Sequence, residues 1–176
     1  MALITETGTG APDSEALCSV AFADSYHAGQ GNTLWATLQT AEKEQAIRRG
    51  YAYLQQTFRT RWAGHRVTYI QALDWPRYNV ARSDGYGGSM GAYGGAGCYP
   101  SDSIPREIQQ ASAEIALRAA GGDLLADVEP TVKQEVVGPI SVTYADGVSK
   151  NKAYPAIERL LMPFLKAGGG IALVRA

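Results

Sequence analysis

The sequence has few of the side chains that bind metals or form disulfides. Its 176 residues include two cysteines, Cys18 and Cys98, and two histidines, His27 and His65. There is no CxxC pair, and the histidines lack the spacing that places two ligands on one helix face. We therefore expect no disulfide framework, no zinc site and no cofactor, with surface or capping roles for both histidines. Two isolated cysteines suit a reducing cytoplasm.

Long hydrophobic runs are also missing. No stretch of 18 apolar residues is present, and the first residues lack the basic and apolar regions of a signal peptide. We expect a soluble protein made inside the cell. With 45% hydrophobic and 19% charged residues, a chain of this length can bury a core, which predicts a single domain over residues 1–176.

Positive charge is missing from the first 41 residues, which contain no Lys or Arg. Residues 42–82, by contrast, carry eight basic side chains against three acidic ones, although the formal net charge of the chain is −1. A net charge near zero argues against a protein that coats duplex DNA through its overall field. A local positive patch remains compatible with the sequence.

No set of residues forms a catalytic constellation. Cys98 follows a glycine-rich stretch that offers no positioned base. Residues 83–98 hold seven glycines, but they lack the Gly-Lys-Ser/Thr ending and the flanking strand and helix of a phosphate-binding loop. The carboxylates of Asp123, Asp127 and Glu129 follow a helix end, where such groups are usually solvated. We predict that the protein is not an enzyme.

Two helices are indicated in the first third of the chain. Ser19 is a candidate N-cap for a helix over Val20–His27, which Gly29 and Gly31 would end. A longer helix begins near Thr40. Its apolar side chains recur at spacings of three and four, and Trp62 continues the stripe; they are Ile47, Tyr51, Leu54 and Phe58.

The second half predicts two more helices and a small β element. A helix opens at Pro105 and ends at Gly121-Gly122, and another begins near Pro155 and is kinked or ended by Pro163. Residues 131–144 are rich in Val, Ile and Thr and are broken by Gly138-Pro139, which indicates two short strands or one bent ribbon.

The fold expected from these signals is mainly α. It is a small helical bundle with a short β-hairpin or ribbon, a long Gly/Tyr-rich flexible loop over residues 83–98, an extended N-terminal arm over 1–18 and a C-terminal tail over 166–176. Residues 71–77 read as a helical turn stopped by Pro76.

Arginine and aromatic side chains alternate between residues 59 and 78. Single-stranded nucleic acids bind to basic grooves with aromatic platforms, where stacking contributes about 1–3 kcal/mol per base. Alternatively, the aromatics are core residues and the arginines are solvated, since Trp62 continues a helix stripe and Trp75 lies in an apolar turn. With the tyrosines of the glycine-rich loop, the candidate nucleic-acid or partner contacts are Arg59, Arg61, Trp62, Arg66, Trp75, Arg77, Tyr86 and Tyr93.

The order of motifs resembles a known family across nearly the whole chain. The matching pieces include Thr7-Gly8-Thr9-Gly10, the Ser19 to His27 helix, Gln71-Ala-Leu-Asp-Trp-Pro-Arg77, Ile104-Pro105 to Leu117, Val132-Lys-Gln-Glu135 with Val137-Gly-Pro-Ile140, and Tyr154 to Leu165. Together they resemble the phage head–tail connector, or adaptor, proteins, some of which carry the description "putative DnaT-like single-stranded DNA-binding protein".

This resemblance implies a structural virion protein of the neck between head and tail, with host cytoplasm as the place of assembly. The implied partners are copies of itself in a ring of about twelve subunits, the portal protein, tail-proximal neck or tail-completion proteins, and DNA passing through the ring. No membrane contact is implied. The alternative function under the same resemblance is a DnaT-like single-stranded DNA-binding protein.

Overall fold

The computed structural model describes residues 2–82, 97–125, 134–137, 140–143 and 154–166. Within these ranges the chain is mainly helical, as predicted. The helices are α1 (Val20–Gly29), α2 (Thr33–Thr37), α3 (Thr40–Phe58), α4 (Arg106–Ala120) and α5 (Pro155–Leu161), followed by a 3-10 turn at Met162–Phe164. The strands are β1 (His65–Arg66), β2 (Arg77–Tyr78), β3 (Gln134–Val137) and β4 (Ile140–Thr143).

The helix boundaries follow the capping residues in the sequence. The Ser19 hydroxyl accepts a hydrogen bond from the Phe22 backbone N–H at 3.1 Å, which fixes the start of α1 as predicted. The start of α3 is capped by Gln39, one residue before the predicted cap. The Gln39 N–H donates to the Glu42 carboxylate at 2.8 Å in a reciprocal capping box.

Helices α3 and α4 pack against each other and form the centre of the molecule. Gly50 of α3 allows their close approach, because a Cβ at this position would lie 3.0 Å from Ile115 Cγ2 and 3.1 Å from the Ala116 nitrogen. The largest part of the core lies beside this contact. Its bulky members are Leu17, Leu54, Phe58, Trp62, Trp75, Ile108, Ile115, Ile157, Leu161 and Phe164.

A second buried cluster lies under α1 and α2, and it corrects one prediction. His27 is fully buried rather than on the surface. Its Nε2–H donates to the Ala113 carbonyl oxygen at 3.1 Å, and Nδ1 accepts from the Asn32 amide at 3.0 Å. Helix α2 was not predicted, since five residues carry little periodicity. It places Trp35 in the core, with its indole N–H 2.7 Å from Asp24 Oδ1.

The N-terminal residues take an extended course, but they are attached to their own chain. The Glu6 N–H donates to the Ala16 carbonyl at 2.9 Å, and the Glu15 N–H donates to the Ile4 carbonyl at 2.8 Å. Glu6 is buried, with 4% of its surface exposed. Residues 2–18 are therefore an extended part of the folded domain.

Strands β1 and β2 form a two-stranded antiparallel ladder, in which His65 opposes Tyr78 and Arg66 opposes Arg77. The helical turn predicted over residues 71–77 is wrong, because this segment is irregular and ends in β2. The physical reason is the Gln71 side chain. Its amide donates to the carbonyls of Leu73 at 2.9 Å and Pro76 at 3.1 Å, so that those carbonyls are satisfied without a helix.

Strands β3 and β4 pair antiparallel, from Gln134 opposite Thr143 to Val137 opposite Ile140, which confirms the predicted hairpin. Helix α5 begins at Pro155 and gives way to the 3-10 turn that contains Pro163, also as predicted. Most of the predicted Gly/Tyr-rich loop, residues 83–96, and of the C-terminal tail, residues 167–176, lies outside the described residues. None of the described helices is long and apolar enough to cross a membrane.

Candidate nucleic-acid interface

The two tryptophans among the predicted contacts lie in the core. Trp62 is 1% exposed and Trp75 is fully buried. Their rings meet edge to face with centroids 5.9 Å apart, and Trp75 makes a similar contact with Phe164 at 5.6 Å. Edge-to-face packing of this kind stabilises a core. Neither ring presents a free face on which a base would stack, so the structure contradicts this part of the prediction.

Arg77 is also unavailable as a surface contact. Its guanidinium is mostly buried and donates to the backbone carbonyls of Ala63 at 2.7 Å, Gly64 at 2.7 Å and Asp74 at 3.1 Å. Burial lowers the pKa of Arg77 from its ordinary value. The side chain therefore links the residues just before β1 to the chain just before β2 rather than facing solvent.

Asp74 organises the neighbouring arginines. Its carboxylate is buried, and Oδ1 lies 2.5 Å from Arg66 Nη2 and 3.9 Å from Arg59 Nε. The Tyr51 hydroxyl accepts a hydrogen bond from the Asp74 N–H at 2.9 Å and so fixes this part of the backbone. Burial, with the nearby Asp74 charge, raises the pKa of Tyr51. The Arg66 side chain is 27% exposed and that of Arg59 is 58% exposed, so only Arg59 of this pair extends well into solvent.

An exposed ring pair lies on the β1–β2 ladder. The imidazole of His65 packs against the phenol of Tyr78, with centroids 5.4 Å apart and planes inclined by 36°. Both residues are exposed, and their opposed positions in the ladder hold the rings together. The sequence contains Tyr78 in its Arg/aromatic pattern, but the pairing with His65 depends on a strand register that no local signal gives.

Basic side chains are carried by the residues just before this ladder and by the segment that pairs with them. Arg61 is exposed, with its guanidinium 5.0 Å from the centroid of the Phe58 ring. Lys166 lies beside it, since the Lys166 N–H donates to the Arg61 carbonyl at 2.7 Å and its ammonium donates to the Thr60 carbonyl at 3.2 Å. We call residues 59–82 the basic segment. It holds five arginines and one carboxylate, that of buried Asp74.

Three apolar side chains are exposed in the loop between β1 and β2. Tyr69 is 96% exposed, Ile70 54% and Val67 39%. The loop is held in shape by Thr68 and Gln71. The Thr68 N–H donates to the Gln71 side-chain oxygen at 3.0 Å, and the Gln71 N–H donates to the Thr68 hydroxyl at 3.1 Å. These exposed apolar groups are therefore presented on an ordered loop.

Comparison with known families decides the classification. A family model matches residues 1–176, and its description is "putative DnaT-like ssDNA binding protein". The chain belongs to this DnaT-like family. No curated protein and no solved structure gives a significant match.

For the predicted contacts of this DnaT-like chain, the structure gives a mixed result. Arg59 and Arg61 are exposed, Arg66 is half-buried, and Trp62, Trp75 and Arg77 are buried. Tyr86 and Tyr93 lie outside the described residues. The DnaT-like part of the resemblance seen in the sequence is confirmed, whereas the head–tail connector part stays a proposal. Among the described residues, no group of three His, Cys, Asp or Glu side chains is arranged to hold a metal ion.

Proposed function

We propose that the protein binds single-stranded DNA without catalysing a reaction, and that the basic segment is its contact surface. Membership of the DnaT-like family supports this function. The observation that carries it is the exposed ring pair of His65 and Tyr78, in a segment whose one carboxylate is buried. Aromatic platforms combined with basic side chains are the usual means of binding single strands.

In this proposal the two kinds of side chain have separate tasks. The rings of His65 and Tyr78 stack on bases, which is tolerant of sequence because every base has an aromatic face. The exposed charges of Arg59, Arg61 and Lys166 contact phosphates and release counterions. The buried rings of Trp62 and Trp75 anchor in the core the chain just before β1 and β2.

The stacking task is tested with Tyr78→Ala and a fluorescent oligothymidine in an anisotropy titration. Loss of one stacking ring should weaken binding by about 5- to 150-fold, which corresponds to about 1–3 kcal/mol. Tyr26→Phe is a control, because it removes a tyrosine hydroxyl on α1 that bonds to Glu114 and leaves the basic segment unchanged. Equal affinities of wild type and Tyr78→Ala would rule out the ring pair as the platform.

A second candidate function, the head–tail adaptor, is favoured by a different observation. Exposed apolar side chains such as Tyr69 and Ile70 suit contacts with protein better than contacts with phosphate. We propose as this alternative a ring between portal and tail-proximal neck proteins in the virion, with about twelve copies by resemblance to the connector family. Passing DNA would then meet the protein only weakly.

Electron microscopy of the purified protein, with and without portal protein, tests the adaptor. Rings, or a complex on portal, that are lost in an Ile70→Ser variant would support it. A wild-type protein that stays monomeric and leaves portal unoccupied at concentrations of tens of micromolar would exclude it. Binding of oligothymidine by that same monomer would leave single-stranded DNA binding as the function.

A further inference from the structure

The carboxylate of Glu6 closes a loop in the N-terminal segment. Oε1 accepts hydrogen bonds from the N–H groups of Gly8 at 2.9 Å and Gly10 at 3.0 Å. Oε2 accepts from the Ala11 N–H and from the Ser14 hydroxyl, each at 3.0 Å. With a longer contact from the Thr9 hydroxyl at 3.5 Å, this buried carboxylate has five donors. They are a strong set, because hydrogen bonds to a charged acceptor are about twice as strong as neutral ones. We call residues 6–14 the Glu6 loop.

The Glu6 loop contacts the chain between β1 and β2. The Ala11 carbonyl accepts a hydrogen bond from the Ala72 N–H at 3.1 Å, and the Gly10 carbonyl accepts from the Thr68 hydroxyl at 3.4 Å. Gly10 also lies against Gln71, since a Cβ on Gly10 would be 3.5 Å from the Gln71 Cβ. The Glu6 loop therefore supports the connection between β1 and β2, the two strands that carry the exposed ring pair.

On its other side the Glu6 loop rests on the segment before α4. A Cβ on Gly8 would lie 2.0 Å from the Asp102 carbonyl oxygen, so the two backbones are in direct contact. Gly8 has a φ of +111°, a backbone conformation that favours glycine. The Glu6 loop is thus held between residue 102 and the β1–β2 connection. Glu6 determines its shape by accepting hydrogen bonds from residues of the loop itself.

We infer that Glu6 is a positioning residue for the basic segment, acting through the carbonyls of Gly10 and Ala11. The inference rests on the proposed function for its effect on DNA, but its effect on the β1–β2 connection is independent of any ligand. Glu6 contacts no exposed ring or guanidinium of the segment. Its role is to hold the connection against the domain, so that the ladder keeps one geometry.

The test is Glu6→Gln in the full chain, measured by amide hydrogen exchange and by oligothymidine binding. Glutamine has the same size as glutamate. Its NH₂ group, however, cannot accept the hydrogen bonds that one carboxylate oxygen accepts in the wild type. We expect exchange of the Ala72 amide to become about tenfold faster or more, and that of Ala116 in α4 to stay unchanged. Affinity for oligothymidine should fall about three- to tenfold with an unchanged salt slope, because no phosphate contact is lost.

Glu15→Gln is the matched control. Glu15 is the next glutamate of the same segment, and it pairs with Arg48 on α3 at 2.8 Å instead of closing the loop. It should leave Ala72 exchange at the wild-type rate. Ser14→Ala removes a single donor to Glu6 and should accelerate Ala72 exchange to a smaller extent, which keeps the test available if Glu6→Gln fails to fold.

The outcomes separate the inference from the proposed function. Unchanged exchange at Ala72 in Glu6→Gln overturns the positioning role. Equal acceleration of exchange at Ala72 and Ala116 in Glu6→Gln and Ser14→Ala overturns it as well. Faster exchange confined to the Glu6 loop and the β1–β2 connection supports it. If that occurs while wild-type protein fails to bind oligothymidine, the positioning role stands and single-stranded DNA binding is the proposal that fails.

Discussion

Two buried carboxylates, those of Glu6 and Asp74, fix the positions of the groups around them. Glu6 shapes the N-terminal loop and Asp74 gathers Arg59 and Arg66, yet they are satisfied differently. Glu6 is held by uncharged donors, whereas Asp74 is held by guanidinium groups and a backbone contact to Tyr51. Removing the negative charge from either side chain should therefore have local and distinguishable effects.

The pH dependence of stability should carry a contribution from Glu6. Although burial raises its pKa, the hydrogen bonds from Gly8, Gly10, Ser14 and Ala11 lower the pKa below the ordinary value of 4.5. A carboxylate with a lowered folded pKa stabilises the fold fully above its unfolded pKa. That contribution is lost as the pH falls through the folded value.

Urea unfolding at several pH values between 7 and 3 measures this effect. Wild type should lose more stability below pH 4.5 than Glu6→Gln does, because the variant has no proton to gain at this site. Glu15 and Glu114 also have lowered pKa values and contribute to acid sensitivity in both proteins, so the difference between the curves isolates Glu6. Parallel curves would contradict the prediction.

Trp75 is predicted to matter for stability rather than for binding. Trp75→Ala should destabilise the fold by about 3–5 kcal/mol, since it removes a fully buried ring from the core. Tyr69→Ala, in the same segment but 96% exposed, should change the free energy of unfolding by about 0.5 kcal/mol or less. Chemical denaturation of the two variants checks the contrast, and similar losses in both would be inconsistent with it.

At the scale of elements, the close contact between α3 and α4 is sensitive to size. Gly50→Val should destabilise the protein by about 1–3 kcal/mol, because its side chain must displace Ile115 and the backbone at Ala116. Ala52→Val, two residues further along α3 and exposed, should cost only the helix propensity of valine, less than about 0.7 kcal/mol. Thermal unfolding of both variants tests whether the interface has room to adjust.

The sequence predicts the helices well where their ends are determined locally. Ser19, Pro105 and Gly121 mark helix boundaries because capping depends on residues within one turn. Helix α2 was missed since its five residues are stabilised by burial of Trp35, which is a tertiary contact. Gln71 likewise replaces a helical turn through hydrogen bonds that no periodic pattern shows.

The exposure of the candidate contact residues was predicted less well than the fold, for a related reason. An Arg/aromatic pattern identifies the segment, but burial decides which members face solvent. Trp62 and Trp75 are the largest rings of the pattern and enter the core, while His65 and Tyr78 meet through strand register. Register and burial both depend on residues distant in sequence, so the pattern alone could not decide which of its aromatic rings are core residues and which are exposed.

At the scale of the whole molecule, charge is distributed so that one segment keeps a positive excess. The acidic N-terminal region neutralises part of α3, through Asp24 with Lys43 at 2.9 Å and Glu15 with Arg48 at 2.8 Å. Among the residues that the structure describes, the ion pairs of the basic segment are those of Arg59 and Arg66 with buried Asp74. The net charge of −1 therefore conceals a local positive surface.

This distribution predicts a modest salt dependence of DNA binding. With three exposed cations assigned to phosphates, Arg59, Arg61 and Lys166, the slope of log affinity against log salt should be about −2 for a single strand. Arg61→Ala should reduce its magnitude by about 0.7. Arg49→Ala is the control, because this exposed residue lies about 15 Å from Arg59 along α3, at 1.5 Å per residue. Anisotropy titrations from 50 to 300 mM salt measure the slopes, and equal slopes for both variants would contradict the assignment.

The Glu6 loop has a consequence for the order in which the chain is made. It leaves the ribosome before the groups that hold it, because the Ala72 N–H and the backbone at Asp102 are synthesised about 60 and 90 residues later. During synthesis the Glu6 loop therefore cannot make these contacts until residues 72 and 102 have been added. Because contacts between segments so distant in sequence form slowly, we expect the Glu6 loop to dock after the helices, whose hydrogen bonds are local.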